Sequence, residues 1–266
     1  MNRKKAILKK SIEFTRRVRA IKITLSFGFA VFSVVGLLIA FNLDALRLSR
    51  ISVSGARVVS GENISHAAAG ALHGSYFYLI PHSNALLYPR ERVRVAVTAV
   101  SPRIKNVRLR VRGYSTLIVQ VLERTPAALW CPAVEQAHCL YLDESGFAFG
   151  IAPFFRGDSY LVFTSSRTPA VGFSLMDEGA FAALQSFARS FPVPLVGVTA
   201  EEERYTLKTR EGYDILVNPQ VPFDITRTSV LAALASEALA SKLREGKELL
   251  YLDARVLGKA FYKLED

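Results

Sequence analysis

The residues of this chain best suited to chemistry are few. Cys131 and Cys139 are its two cysteines, set in Trp-Cys-Pro-Ala-Val-Glu-Gln-Ala-His-Cys with His138 beside the second. At that spacing the pair can close a disulfide, persist as two buried thiols, or join His138 around a metal. The metal reading lacks a third and fourth local ligand, because His66, His73 and His82 lie far upstream. Across a hairpin in an exported domain the disulfide is favoured. Closing a loop of about nine residues would contribute roughly 2.6 kcal/mol in the chain-entropy model. Asp143 and Glu144 stand beside Gly146, where acids serve a turn more often than acid–base catalysis. The sequence holds no Gly-rich phosphate loop, no Gly-x-Ser-x-Gly elbow and no His-Glu-x-x-His. No catalytic residue, cofactor or metal is therefore expected. Asn63-Ile64-Ser65 is a formal glycosylation sequon, a triplet that chance supplies in a chain of 266 residues.

Two charge features remain. Arg90 to Arg124 carries nine cations against Glu91 and Glu123, which suits a solvated sheet face that discourages edge pairing or docking to an acidic surface. The other is the tail, residues 1–22, with nine Lys or Arg against one Glu. The tail thus holds +8 of the chain's +11 and leaves +3 for residues 23–266, so the basicity does not mark a nucleic-acid site. Nucleic acid is not an expected partner.

The elements that position these groups begin with Ile23 to Leu43, a run of 21 residues without one charged side chain. As a helix it is about 31 Å long, close to a bilayer's hydrocarbon thickness. Cations on its N-terminal flank keep that side cytoplasmic. Residues 44–266 are then exported. A cleaved signal peptide is the competing reading, but its apolar core is about 7–15 residues and ends in a small-residue cleavage site. The tail itself reads as a weak surface helix or a disordered basic segment.

Beyond the span, Leu48 to Val53 alternates like a short strand ending at Ser54-Gly55. Ser60 or Asn63 can cap a helix reaching Ala71, with Ile64, Ala67, Ala68 and Leu72 on one face. Arg90 to Val100 offers two incompatible periods: valine alternation argues for a strand, while Leu86, Val93, Val97 and Val100 stack on one helical stripe. Ile104 to Arg112 and Thr116 to Arg124 read as a hairpin turning at Gly113-Tyr114-Ser115. Further on, Ser174 to Ser190 and Thr228 to Arg244 read as helices. Gly246 stops the second, and Tyr205 to Thr209 with Tyr213 to Val217 reads as another hairpin.

Several of these pieces resemble a known family. Ile51-x-Val53-x-Gly55, Gly74-Ser-Tyr-Phe77, Ser101-Pro-Arg-Ile-x-x-Val107 and Val119-Gln-Val-Leu-Glu-Arg-Thr-Pro-Ala127 are similar to the POTRA domain of FtsQ/DivIB cell-division proteins. Glu123, Arg124, Pro126 and Ala127 match the family's Glu-Arg-x-Pro-x-Ala strand end position for position. Tyr141 to Phe149 looks like the family's strand-turn-strand, and Tyr251 to Lys263 like its closing strands, although Ala254 stands where the family often has leucine. Between Pro153 and Pro222 the likeness is one of element order only.

The resemblance implies an α+β chain in four parts: a cytoplasmic basic tail (1–22), a transmembrane helix (23–43), a POTRA domain of order β-α-α-β-β (44–125) and a mixed C-terminal β domain with a mainly antiparallel sheet (126–266). It also implies that the stretch from Pro89 to Val100 is the second POTRA helix. The expected function is that of a divisome scaffold in the cytoplasmic membrane at the division septum. FtsB- and FtsL-like division proteins are the expected partners, held near the septal peptidoglycan synthases. The expected contact is the last strand, Val256 to Lys263, with Val256, Leu257, Lys259, Phe261, Tyr262 and Lys263 as binding residues. An exposed edge can accept an extended segment, and aromatic anchors suit interface centres. The competing reading places both rings in the core. Competing functions are a POTRA envelope adaptor for export or assembly, and a membrane-anchored cell-wall enzyme.

Overall fold

The computed structural model describes residues 2–133, 138–155 and 159–265. The chain divides into two compact units, the first reaching Leu122 and the second starting at Glu123, three residues before the boundary expected from sequence.

The first unit opens with helix α1, Asn2–Phe41. Its part from Ile21 to Phe41 is long and apolar enough to cross a membrane, so basic tail and apolar run share one helix. The helix ends before Leu43 because the Asn42 side chain donates to Leu38 O (2.8 Å) and caps the last turn. A 3-10 turn at Asp44–Leu46 leads to strand β1, Arg50–Ser54. Helix α2, Gly61–Ala71, follows, with Ser60 at its N-cap accepting from Asn63 N. Next come two-residue strands β2, Ser75–Tyr76, and β3, Ile80–Pro81, then helix α3, Arg90–Thr98. Strands β4, Ile104–Arg112, and β5, Thr116–Glu123, complete the unit.

The ambiguous valine stretch is thus a helix. Val93 and Val97, one turn apart, are fully buried against α2 and β4, and that burial outweighs the strand preference of β-branched side chains. The sheet order is β1-β5-β4, with β1 parallel to β5 so that Ile51 faces Leu117 and Val53 faces Val119. Ile64, Ala68, Val93, Val97, Leu117 and Val119 form the core between helices and sheet. The hairpin β2-β3 was not foreseen. It turns at Phe77 and Tyr78, both at positive φ (49° and 62°), a conformation that costs an L-residue about 1–2 kcal/mol.

The second unit is one nine-stranded mixed sheet with helices on one face. Its strands are β6 (Ala128–Cys131), β7 (Leu140–Leu142), β8 (Ala148–Ile151), β9 (Val162–Ser165), β10 (Leu195–Ala200), β11 (Tyr205–Thr209), β12 (Asp214–Val217), β13 (Leu249–Ala254) and β14 (Phe261–Leu264). The spatial order is β14-β13-β12-β11-β10-β9-β6-β7-β8. Five ladders are antiparallel and three, β12-β13, β9-β10 and β6-β9, are parallel. The expectation of a mainly antiparallel sheet holds only as a majority.

Helix α4, Glu178–Ser190, starts four residues later than its apolar pattern suggests. Asp177 is its N-cap, accepting from Gly179 N and Ala180 N, while Leu175 N donates to Gly146 O and keeps that segment extended. The single helix expected over Thr228 to Arg244 is two, α5 (Phe223–Leu234) and α6 (Glu237–Arg244), because Ser236 interrupts it and caps Leu239 N. Phe163, Phe181, Leu184, Leu207, Ile215, Val230 and Leu252 make the core under these helices.

Tyr213 sits in that core with its hydroxyl buried and, among the described residues, without a hydrogen-bond partner. Burial, reinforced by Glu211, pushes its ionisation up to about 12. Tyr213→Phe is expected to raise stability by about 1 kcal/mol by removing the unsatisfied hydroxyl, read as slower hydrogen exchange in β11 and β12. The unfolded phenol ionises near 10 and the folded one higher, so the wild type loses stability as pH rises through that window. The variant loses less, with Tyr205, also shifted upward by burial, leaving a residual slope.

Candidate functional site

Strand β14 is one margin of the large sheet. Among the described residues it pairs on one side only, with β13, through Asp253 opposite Phe261, Leu252 opposite Tyr262 and Tyr251 opposite Lys263. Directly opposed residues share a face. Tyr262 therefore leans to the helix-covered face with buried Leu252, at that face's rim, and Phe261 leans to the other face with Asp253. Neither ring is in the core: Phe261 is 55% exposed and Tyr262 38%. Lys263 is exposed beside them.

The expected strand from Val256 is shorter than its sequence pattern. Val256, Leu257 and Lys259 lie in the turn between β13 and β14, which closes by Lys259 N donating to Val256 O (3.1 Å) and reverses through Gly258 at φ 70°. An antiparallel return needs such a turn, so these three residues flank the edge instead of forming it. Val256 and Leu257 are nonetheless exposed. Behind the edge, Arg255 holds Asp253 in a two-pronged pair (Nε to Oδ1 2.8 Å, Nη2 to Oδ2 2.6 Å), which keeps that carboxyl below its usual range.

The opposite margin, β8, is partly covered. Ala148 exchanges backbone hydrogen bonds with Gly172 and Phe173 (both 2.8 Å), and Phe147 bridges to Ser174. The two margins therefore differ: β8 is blunted by its own chain, as sheet edges usually are, whereas β14 presents its outer backbone groups.

Cys131 and Cys139 are joined by a disulfide, on the sheet face opposite the helices, beside Tyr141, Phe155 and Tyr160. Residues 134–137 of the loop it closes lie outside the described residues. His138 is exposed, and no cluster of metal-ligating side chains occurs among the described residues. A cavity of about 500 Å³ beside the disulfide has a mixed lining, with Leu129, Phe155, Val162 and Val198 next to Thr164 and Thr199, and Lys208 and Tyr160 as its titratable side chains. A second, of about 440 Å³, brings Asp177, Glu201 and Glu202 to one rim. There Asp177 already caps α4 and Glu201 already pairs with Arg204.

Asp143 performs structural work that the sequence hinted at only as a turn. Its carboxylate accepts from Ser145 N (2.9 Å), Ser145 Oγ (2.7 Å) and Phe147 N (3.1 Å) and forms an ion pair with Arg124. The Arg124 guanidinium lies over the Phe147 ring at 4.1 Å. Burial alone would raise the Asp143 ionisation, but the hydrogen bonds from Ser145, Arg124 and Phe147 outweigh it and hold the carboxyl below its usual range. The Glu-Arg-x-Pro-x-Ala segment is thus pinned to the Asp-Glu-Ser-Gly turn. Sequence reasoning named Arg124 and Asp143 separately, and only the fold brings them together.

No protein-family model matches the chain, and no curated protein is similar to it at a significant level. Among the described residues, the margin at Phe261 to Lys263 is a strand edge without a neighbour on its outer side, carrying two exposed aromatic rings.

Proposed function

We propose that the chain is a single-pass membrane protein of the FtsQ/DivIB kind, with its N-terminus inside and residues 44–266 outside the cytoplasmic membrane. It acts at the bacterial division septum as a non-catalytic scaffold. The observation that carries this reading is the open β14 margin with three successive exposed residues, Phe261, Tyr262 and Lys263. Supporting it are the succession β1, α2, α3, β4 and β5, which follows the order expected of a POTRA module once the short hairpin β2-β3 between the helices is set aside, and the nine cations of residues 1–22, which favour N-in insertion.

The mechanism is mechanical rather than chemical. An anchor confines the exported units to the membrane surface and raises the effective concentration of weakly binding neighbours. An extended segment of an FtsB- or FtsL-like partner then adds to β14 through main-chain hydrogen bonds, and the two rings, one on each face of the sheet, set its register.

Tyr262→Glu is expected to lower capture of an FtsB-like partner by about tenfold or more, while hydrogen exchange in β13 stays unchanged. Capture equal to wild type, with β13 intact, discards strand addition at this edge. A fluorescent fusion should gather at the septum, and depletion should give filamentous cells.

A further inference from the structure

The hairpin β2-β3 carries a second surface. Its tip residues Phe77 and Tyr78 are 90% and 99% exposed, and Leu79 beside them is also exposed. The turn closes by Leu79 N donating to Tyr76 O (2.9 Å), and its stem is held by His82 N donating to Gly74 O (2.9 Å) and by the Tyr76 and His82 rings meeting edge to face at 4.5 Å. Positive φ at two successive positions ordinarily selects glycine or asparagine. Here two aromatics occupy them, and the unit's own core gains nothing from either ring.

The hairpin is fastened to the end of the apolar helix. Asn42, the first residue past α1, donates from Nδ2 to Leu79 O and to Leu38 O, both at 2.8 Å. The fully buried Asn84 donates from Nδ2 to Phe41 O (2.7 Å) and accepts on Oδ1 from Leu86 N (2.9 Å) and Leu87 N (3.1 Å). Leu46 and Ala85 add a backbone bond of 2.7 Å. Two asparagines thus fix the aromatic tip beside the last turn of the helix, at the level where a spanning segment leaves the hydrocarbon. Leu43, Leu86 and Leu87 are exposed nearby. Tyrosine and tryptophan concentrate at that level of a bilayer because the ring is apolar and its edge is polar.

We propose that Phe77 and Tyr78 insert into the interfacial zone of the lipid leaflet from which α1 emerges, so that the first unit rests on the membrane in a fixed orientation instead of swinging on a tether. This rests on the reading of α1 as a membrane span. The occupant of the patch is lipid, since the residues that present it are bonded directly to the end of the span.

The test uses the full-length protein in phosphatidylcholine vesicles. Its two native cysteines are joined to each other, so a single introduced cysteine can take an environment-sensitive fluorophore. Labels go at Tyr78→Cys, at Phe77→Cys as a second tip position, at Phe32→Cys inside the apolar run, and at Val58→Cys beyond the far end of β1. Quenching by lipids carrying a nitroxide high on the acyl chain is expected to be at least about threefold stronger at 77 and 78 than at 58, while 32, at mid-span, is quenched by lipids carrying the nitroxide near the chain end. Strong quenching at 32, with 77 and 78 no different from 58, overturns membrane docking and leaves the anchor standing. Absence of quenching at 32 overturns the anchor and the docking together.

Discussion

Gly55→Ala is expected to strip hydrogen-exchange protection from β1, β5 and α2 in the full-length protein while β9 to β14 stay protected. Gly55 ends β1 at φ 84°, and a Cβ placed there would stand 2.1 Å from Val121 O, a backbone atom. Carbon and oxygen in non-bonded contact keep about 3.3 Å apart, so one of the two backbones has to move. That movement breaks the end of the parallel ladder, where Val53 faces Val119 and Ser54 faces Gln120. The left-handed φ alone costs about 1–2 kcal/mol, and with the displacement the total exceeds about 3 kcal/mol, a large share of a domain's stability. Gly113 separates the two causes. It also has a positive φ (60°), yet nothing lies within 4 Å of its Cβ direction, so Gly113→Ala should cost only about 1–2 kcal/mol. Equal losses at the two glycines would refute the close-approach explanation.

The contrast between these glycines also indicates what the sequence could and could not disclose. Both were legible as turns, since Ser54-Gly55 follows an alternating strand and Gly113 separates two. That Gly55 abuts β5 depends on a parallel pairing across more than sixty residues, and no local pattern encodes it. Features set by neighbours within a few residues were readable: the Ser60 cap, the hairpin β4-β5, the apolar face of α4 and the stop at Gly246. Errors arose where a local signal had two outcomes. Asp177 could lie inside a first turn or cap it, and Ser236 could continue a helix or restart one; the caps won because each satisfies amide groups that are otherwise orphaned. For α3 the valine-rich pattern was undecidable until packing against α2 selected one period. The strands β9 and β10 have no counterpart in the sequence reading, because both are central in the sheet and neither carries an alternation to mark it. The candidate edge was legible as a strand with aromatics, but its first half is a turn, because the chain reverses through Gly258 at positive φ.

Asp143→Ala is expected to destabilise the second unit by about 3–5 kcal/mol, the cost of leaving one member of a buried ion pair without its partner. The carboxylate is almost wholly buried and the Arg124 side chain is mostly so, which sets this pair apart from Arg94 with Glu91 and Lys242 with Glu245, exposed pairs that contribute little. Arg124→Met should be nearly as harmful, because it strands the anion. The double variant Arg124→Met, Asp143→Asn should recover at least about half of the loss, since no charge is then buried and the Asn side-chain oxygen can still accept from Ser145 and Phe147. The pH dependence provides the independent check. A carboxyl held below its unfolded value of 3.8 contributes stability that is fully present above that value and is lost as pH falls through the lowered folded value. Wild type should therefore show a steeper loss of exchange protection in β6 to β8 below about pH 4 than Asp143→Asn does, whose side chain cannot titrate. If the two acid limbs coincide while the double variant remains as unstable as either single one, the pair is not what pins the Glu-Arg-x-Pro-x-Ala segment to its turn.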